Sequence, residues 1–420
     1  MRSAWVLVST LVLGCGEVIK HELPDAPDAP GSFKVGGALA GVAGSGVTLQ
    51  LNGGDDLTLT ADGAFTFPTA LPAGTAYEVT IAATPICPGR TCTVQNASGT
   101  VGSADVTDVV VTCSEPKVRL VSHNSPGSSI RITDDILALA NGGIAVPRVV
   151  TGPNTQIGFS NRDSVVVDPV RDLLYAATSS PVAGTNGLPQ ILVFENASTL
   201  TGDATPARRI QTPGLAQGLE LDVARDRLFL TVNGVLAVVD NASTFDGQLE
   251  TPSAVIPLET PSVLTLDHVT DRLYVGNENG FMYIFDNASQ LTNNSSPREL
   301  VRLASQPVSG LAIDSCRNRL YIGFRTEVQG FNIFVFDNAS GLTGSPNPFT
   351  EAQALLTVPT NQVTALALDL IGNLYFWPDL ASVVHIVSEP HTLAGQRTVD
   401  PTKTIRGVVD RGYGLAVSPH

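Results

Sequence analysis

The sequence predicts an all-β chain, a small β-sandwich followed by a six-bladed β-propeller closed by strands from both ends of the propeller segment. Three observations carry this expectation. One phrase recurs four times, as "VFENASTLTG" (193–202), "VVDNASTFDG" (238–247), "IFDNASQLTN" (284–293) and "VFDNASGLTG" (335–344). A second, made of strand, Asp, tight turn and aromatic-bearing strand, recurs five times from "VVVDPVRDLLYAAT" (165–178) to "LALDLIGNLYFW" (366–377). The segments 118–135 and 414–420 each hold the part of the unit that the other lacks.

The N-terminus comes first. Residues 1–14 place one Arg before an apolar run of about eleven residues, too short to cross a bilayer as a helix. The run ends in Val12-Leu13-Gly14-Cys15, which resembles the lipobox of bacterial lipoproteins. That resemblance implies a signal peptide over 1–14, lipidation of Cys15, and a membrane anchor. Gly16 rather than Asp follows the Cys, which by the same analogy implies the outer membrane. Residues 15–32, with the lipidated Cys and "EVIKHELPDAPDAPGS", are too polar to pack, and Pro keeps such a tether extended.

Residues 33–115 alternate apolar and polar, with turns at Gly-Gly-Asp and Asp-Gly, and predict six or seven short strands. The stretch resembles the immunoglobulin- or prealbumin-like modules of exported bacterial proteins, which implies a spacer. The glycines of "GGALAGVAGSG" lack dinucleotide spacing and are read as turns. An exported chain sits where disulfides persist. Cys92 and Cys113 are the favoured pair, a staple of about 3 kcal/mol. Cys87 with Cys92 is the rival, and the pairing of Cys87 and Cys316 is left open. No His lies close enough in sequence to these cysteines to suggest zinc.

Residues 116–420 hold the repeats. Alignment on the first phrase brings Asp134, Glu195, Asp240, Asp286, Asp337 and Ser388 into one position, with Leu139, Leu200, Phe245, Leu291, Leu342 and Leu393 five residues later. The acid or hydroxyl is expected to cap one helical turn, after which the apolar residue drops onto the sheet. The Asn-X-Ser triplet is therefore first a turn, with glycosylation the weaker rival. The strand that follows, commonly introduced by Pro and carrying Arg, is expected to form an exposed outer edge. Four strands per unit describe propeller blades. "GLAVSPH" (414–420) supplies the inner strand of the unit begun by "VRLVSH" and "SIRITDD". The repeats resemble six-bladed NHL-like propellers of the bacterial envelope. The blade aromatics Tyr175, Phe229, Tyr274, Tyr321 and Tyr375 are assigned to packing between blades.

Function is less legible. Net charge is −15, with 39 Asp and Glu against 24 Lys and Arg, so a phosphate backbone would be repelled and nucleic acid is excluded. The Asp turns and Asn-X-Ser turns fall on one face and are uniform. The opposite face carries unlike loops, which suit recognition. Its candidate ligand-binding groups are His123, Asn233, Asn277, Glu278, Arg325, Trp377 and Asp379. The expectation is a monomeric, outer-membrane lipid-anchored module without cofactor that binds an envelope protein or glycan. The alternative is a metal-dependent hydrolase of the six-bladed lactonase type, working at the central channel. It would need three or more oxygen ligands converging on one point. No nucleophile elbow, zincin motif or phosphate loop is present.

Overall fold

The computed structural model describes residues 31–42, 46–124, 128–158, 165–179, 189–249, 252–328, 330–358, 362–377, 382–408 and 412–419. Within them the chain is almost wholly β. Residues 32–114 form two four-stranded sheets. One orders Gly63–Pro72, Ser32–Ala40, Val106–Ser114 and Thr91–Gln95; the other orders Gly54–Leu59, Val47–Leu51, Ala76–Ala83 and Ser98–Thr100. Alternation turns Val35, Leu39, Val47, Leu49, Phe65, Phe67, Val109 and Val111 into one shared core. The stretch "CTVQNASGTV" forms two strands, broken at Asn96, whose φ of 52° suits Asn. Cys92 and Cys113 face each other across an antiparallel pair and are disulfide-bonded.

Six further sheets follow among the described residues, numbered here one to six in chain order. Their inner strands are Gly412–Pro419, Val165–Asp168, Ala216–Asp222, Pro261–Asp267, Val308–Asp314 and Ala365–Leu368. Each is followed outward by antiparallel neighbours, and each inner strand packs on the next. The sixth, Ala365–Leu368, packs on Gly412–Pro419, which packs on Val165–Asp168. In sheet one, Gly412–Pro419 pairs with Val118–Asn124 from Gly412↔Asn124 to Pro419↔Val118. The arrangement is that of a β-propeller.

The recurring aromatics join adjacent sheets. Tyr175 of sheet two packs with Leu219 and Leu230 of sheet three, Phe229 of sheet three with Leu264 and Val275 of sheet four, and Tyr274 of sheet four with Leu311 and Ile322 of sheet five. Tyr321 shares a core with Leu366 and Phe376, and Tyr375 one with Val118 and Leu120 of sheet one. Large, wholly buried rings make each sheet depend on its neighbour for a core.

The repeated phrases fold differently from the capping expectation. One-turn 3₁₀ helices do form at Ile136–Ala138, Ala288–Gln290, Ala339–Gly341 and Pro390–Thr392. Leu200, Leu291 and Leu342 are buried beside their turns. However, no side chain caps these four turns. The residue ahead of each turn is left-handed: Asp135, Asn287, Asn338 and Glu389. Asn196 and Asn241 are left-handed at the matching positions of sheets two and three, and Asn tolerates that geometry better than most residues. The triplet's Ser is bound from the first-to-second turn of its own sheet. Asp172 accepts from Ser198 N and Oγ at 2.7 and 2.6 Å. Asp226 and Asp271 hold Ser243 and Ser289 in the same way, and Asn318 holds Ser340.

The acids aligned as caps instead anchor arginines. Asp134 pairs with Arg119 and Arg148, Glu195 with Arg208, Asp240 with Arg227, Asp286 with Arg272 and Arg298, and Asp337 with Arg319. Several of these guanidinium groups then reach the next sheet's turn. Arg148 donates to the carbonyls of Ala197 and Leu200, Arg227 to those of Ala288 and Leu291, and Arg298 to those of Ser340 and Leu342. Arg319 donates to those of Pro390, His391 and Leu393, and Lys403 of sheet six closes the series on Leu137 of sheet one. Orphan carbonyls at a helical terminus are good partners for a cation. The phrase is thus a clasp between sheets. Arg319→Ala is expected to lower unfolding free energy by about 1–3 kcal/mol. Arg302→Ala, whose guanidinium only overlies Phe281, should change it by less than about 0.5 kcal/mol. Paired urea titrations would separate the two.

The outer strands also differ from expectation. Arg208–Gln211 and Ala354–Thr357 are not exposed edges, because Gly247–Gln248 and Gly395–Thr398 of the following sheets add to them in parallel.

Candidate functional site: the central channel and its two mouths

The five Asps of the second phrase are consumed by their own turns. Asp168 accepts from the backbone of Val170 and Arg171 at 2.9 Å and from the Arg171 guanidinium at 2.8 Å. Asp222 and Asp314 repeat the pattern with Arg225 and Arg317, Asp267 uses Thr270, and Asp369 accepts from Asn373 and the Tyr375 hydroxyl. These carboxylates are buried in scaffold. Among the described residues, no three His, Cys, Asp or Glu side chains converge to hold a metal.

The seven residues singled out on the opposite face are scattered. His123 is buried in sheet one, where burial pulls its imidazole down to about 4, so it is neutral at pH 7. Asn277 is buried and holds its hairpin, accepting from Asn279 and Phe281 N–H at 3.0 and 2.8 Å. Trp377 is buried against Val118, Leu120 and Tyr375. As placed, these three offer no surface to a ligand. Asn233 is exposed and opens an Asn-Gly hairpin with both φ positive, its amide donating to Pro213 O at 3.0 Å. Asp379 lies outside the described residues, as does Cys15. Glu278 and Arg325 both border the channel at that mouth.

The channel is a cavity of about 1370 Å³, walled by the inner strands of all six sheets. At the Asp-turn end it is bordered by the N-terminal unit, through Ile81, Ala82, Ala83, Ile86, Cys87 and Pro88. That contact is covalent. Cys87 is disulfide-bonded to Cys316, 229 residues away, while Gly89 N–H donates to Leu370 O at 2.7 Å. A Cβ on Gly89 would lie 2.6 Å from that of Leu370, so the close approach itself selects glycine. Cys316→Ser is expected to leave both units folded but to raise the rate of cleavage in the 114–118 connection several-fold, measured by limited proteolysis. An unchanged rate would mean that the disulfide does not hold the unit in place.

One wall residue breaks the pattern. Two positions before each turn Asp, or before Ser418 in sheet one, stand Val166, Glu220, Thr265, Ala312, Ala367 and Ala416, and all border the cavity. Glu220 is the single acid in that ring. Its side chain is half-buried, and no Lys, Arg or His salt-bridges to it among the described residues. Burial pushes it up to about 8, with Asp222 adding repulsion, against the pull of the backbone N–H groups of Leu221 and Leu266. The feature was visible in "LELD" against "VVVD", "LTLD", "LAID" and "LALD".

Against known proteins, no family model and no curated protein matches this chain. Among solved structures, it is similar to a chain of a nidogen/laminin complex, with a TM-score of 0.50 and 15% identity over 71% of this chain and 98% of that one. At that identity the likeness concerns the fold, a β-propeller. The two disulfides suit an oxidising compartment. No helix among the described residues is long and apolar enough to cross a membrane.

Proposed function

We propose that this chain is an exported, lipid-anchored binding module: a β-sandwich of the immunoglobulin or prealbumin type followed by a six-bladed propeller that engages a protein partner. The observation that carries the reading is the disulfide-anchored N-terminal unit at the Asp-turn mouth. With one end of the ring taken, the face bearing the unlike loops is the one left for a partner. Variable loops on a rigid frame are where recognition usually sits. A protein fits better than a glycan, because Trp377, the aromatic suited to stacking on a sugar, is buried. The structural neighbour comes from a complex between two proteins, a precedent for such use of the fold.

Photo-crosslinking residues placed at Asn233 and Asn279 on the loop face, and at Val170 and Val269 on the other, test the face. One reproducible protein adduct from the first pair alone is the expected result. Equal labelling from both faces, or none, contradicts it. The anchor is tested separately by mass spectrometry of the mature N-terminus, where an acylated Cys15 is expected and an unmodified terminus overturns that part.

A further inference from the structure

The channel has features that scaffolding does not require. Pocket volumes for small ligands run to about 1,000 Å³, and this cavity, at about 1370 Å³, could hold one with room for water. Inner strands as long as Ala216–Asp222 give it a length of roughly 20 Å at ~3.3 Å per residue. Its walls include Val165, Leu219, Leu264, Leu311, Leu366 and Leu415, mostly aliphatic. The Asp-turn end is bordered by the disulfide-anchored unit, and Glu278 and Arg325 border the other. Near the Asp-turn end, in a ring otherwise made of Val, Thr and Ala, sits the Glu220 carboxyl.

A buried carboxyl without a cation is costly unless something pairs with it. Here the space beside it is a cavity rather than packed protein. From this we infer that the channel is a binding chamber for an elongated apolar molecule bearing one protonated amine, the amine meeting Glu220 and the apolar body lying along the aliphatic walls toward the Glu278–Arg325 mouth. Two forces then act together. Burial of each methylene contributes about 0.8 kcal/mol, and the ammonium supplies the counter-ion that no side chain provides. Neutral or anionic molecules of the same shape would gain only the first. The elevated ionisation range of Glu220 agrees with this, since the empty site holds its proton at neutral pH and a bound ammonium would draw it into the charged form.

The test uses the full chain and three probes of equal length, n-decylamine, decanol and decanoate, followed by isothermal titration calorimetry below their aggregation thresholds. Decylamine should bind saturably at one site per chain and at least tenfold more tightly than either of the others. Glu220→Gln should weaken decylamine at least tenfold and leave decanol unchanged, and its unaltered circular dichroism would show that it folds. Ala416→Phe, which narrows the channel at the same level, should weaken all three. Equal affinity for the amine and the alcohol, amine binding that survives Glu220→Gln, or non-saturable uptake typical of surface adsorption would each overturn the proposal.

Discussion

Removal of residues 409–420 is expected to abolish cooperative folding of the propeller. Gly412–Pro419 is the inner strand of sheet one and pairs with Val118–Asn124 at seven positions. Without it, Val118–Asn124 becomes an open inner edge, and the strands Val165–Asp168 and Ala365–Leu368 lose the neighbour they pack on. At about 1 kcal/mol net per hydrogen bond, and with the apolar surface of Leu415 and Val417 returned to water, the loss is on the order of 5 kcal/mol or more. That approaches the whole stability of an ordinary domain. The exposed edge also invites pairing with other chains. Thermal unfolding of the purified truncated chain should show a broad, low-temperature transition with aggregation. A melting curve superimposable on that of the intact chain would contradict it.

Glu220→Gln is expected to stabilise the protein, and to do so only above mildly acidic pH. In the unfolded chain a Glu ionises near 4.3, whereas burial moves Glu220 up to about 8 in the folded state. Between those values the folded chain holds a proton that the unfolded chain has lost. Unfolding therefore releases a proton, and stability falls as pH rises through the window. The glutamine has no such proton. Its advantage should be nil below about pH 4, grow through neutrality, and level off above pH 8 at about 2–4 kcal/mol, allowing for water in the channel. Denaturant midpoints of both proteins from pH 4 to pH 9 measure this directly. A difference independent of pH, or a wild type more stable at pH 8, would show that Glu220 is not held in an apolar, cation-free setting.

How far the sequence reached depends on how local each interaction is. The Asp turns were legible because the acceptor and its donors lie within a few residues, as with Asp168, Val170 and Arg171. The aromatics were legible because they recur at one position in an alternating strand. The capping reading failed at Asp240 and Asp337 because their partners, Arg227 and Arg319, lie on the adjacent strand, and the turn carbonyls those arginines bind belong to the next sheet. Trp377 and His123 sit next to loops in the sequence, yet neighbouring strands bury them. The Cys87–Cys316 bond spans 229 residues, and no periodicity could announce it. Glu220 was announced by its register, but only the closed ring shows that the odd residue borders a cavity.

Strands from the two ends of the propeller segment close the ring. Cysteines introduced together at Val121 and Ala416, which are direct partners across the closing strands, test it most directly. Peptide mapping of the purified double variant, oxidised, should recover a disulfide-linked pair of peptides from the two ends of the propeller segment, alongside the native Cys92–Cys113 and Cys87–Cys316 links. Recovery of both native links with residues 121 and 416 unjoined under oxidising conditions would contradict the closed ring.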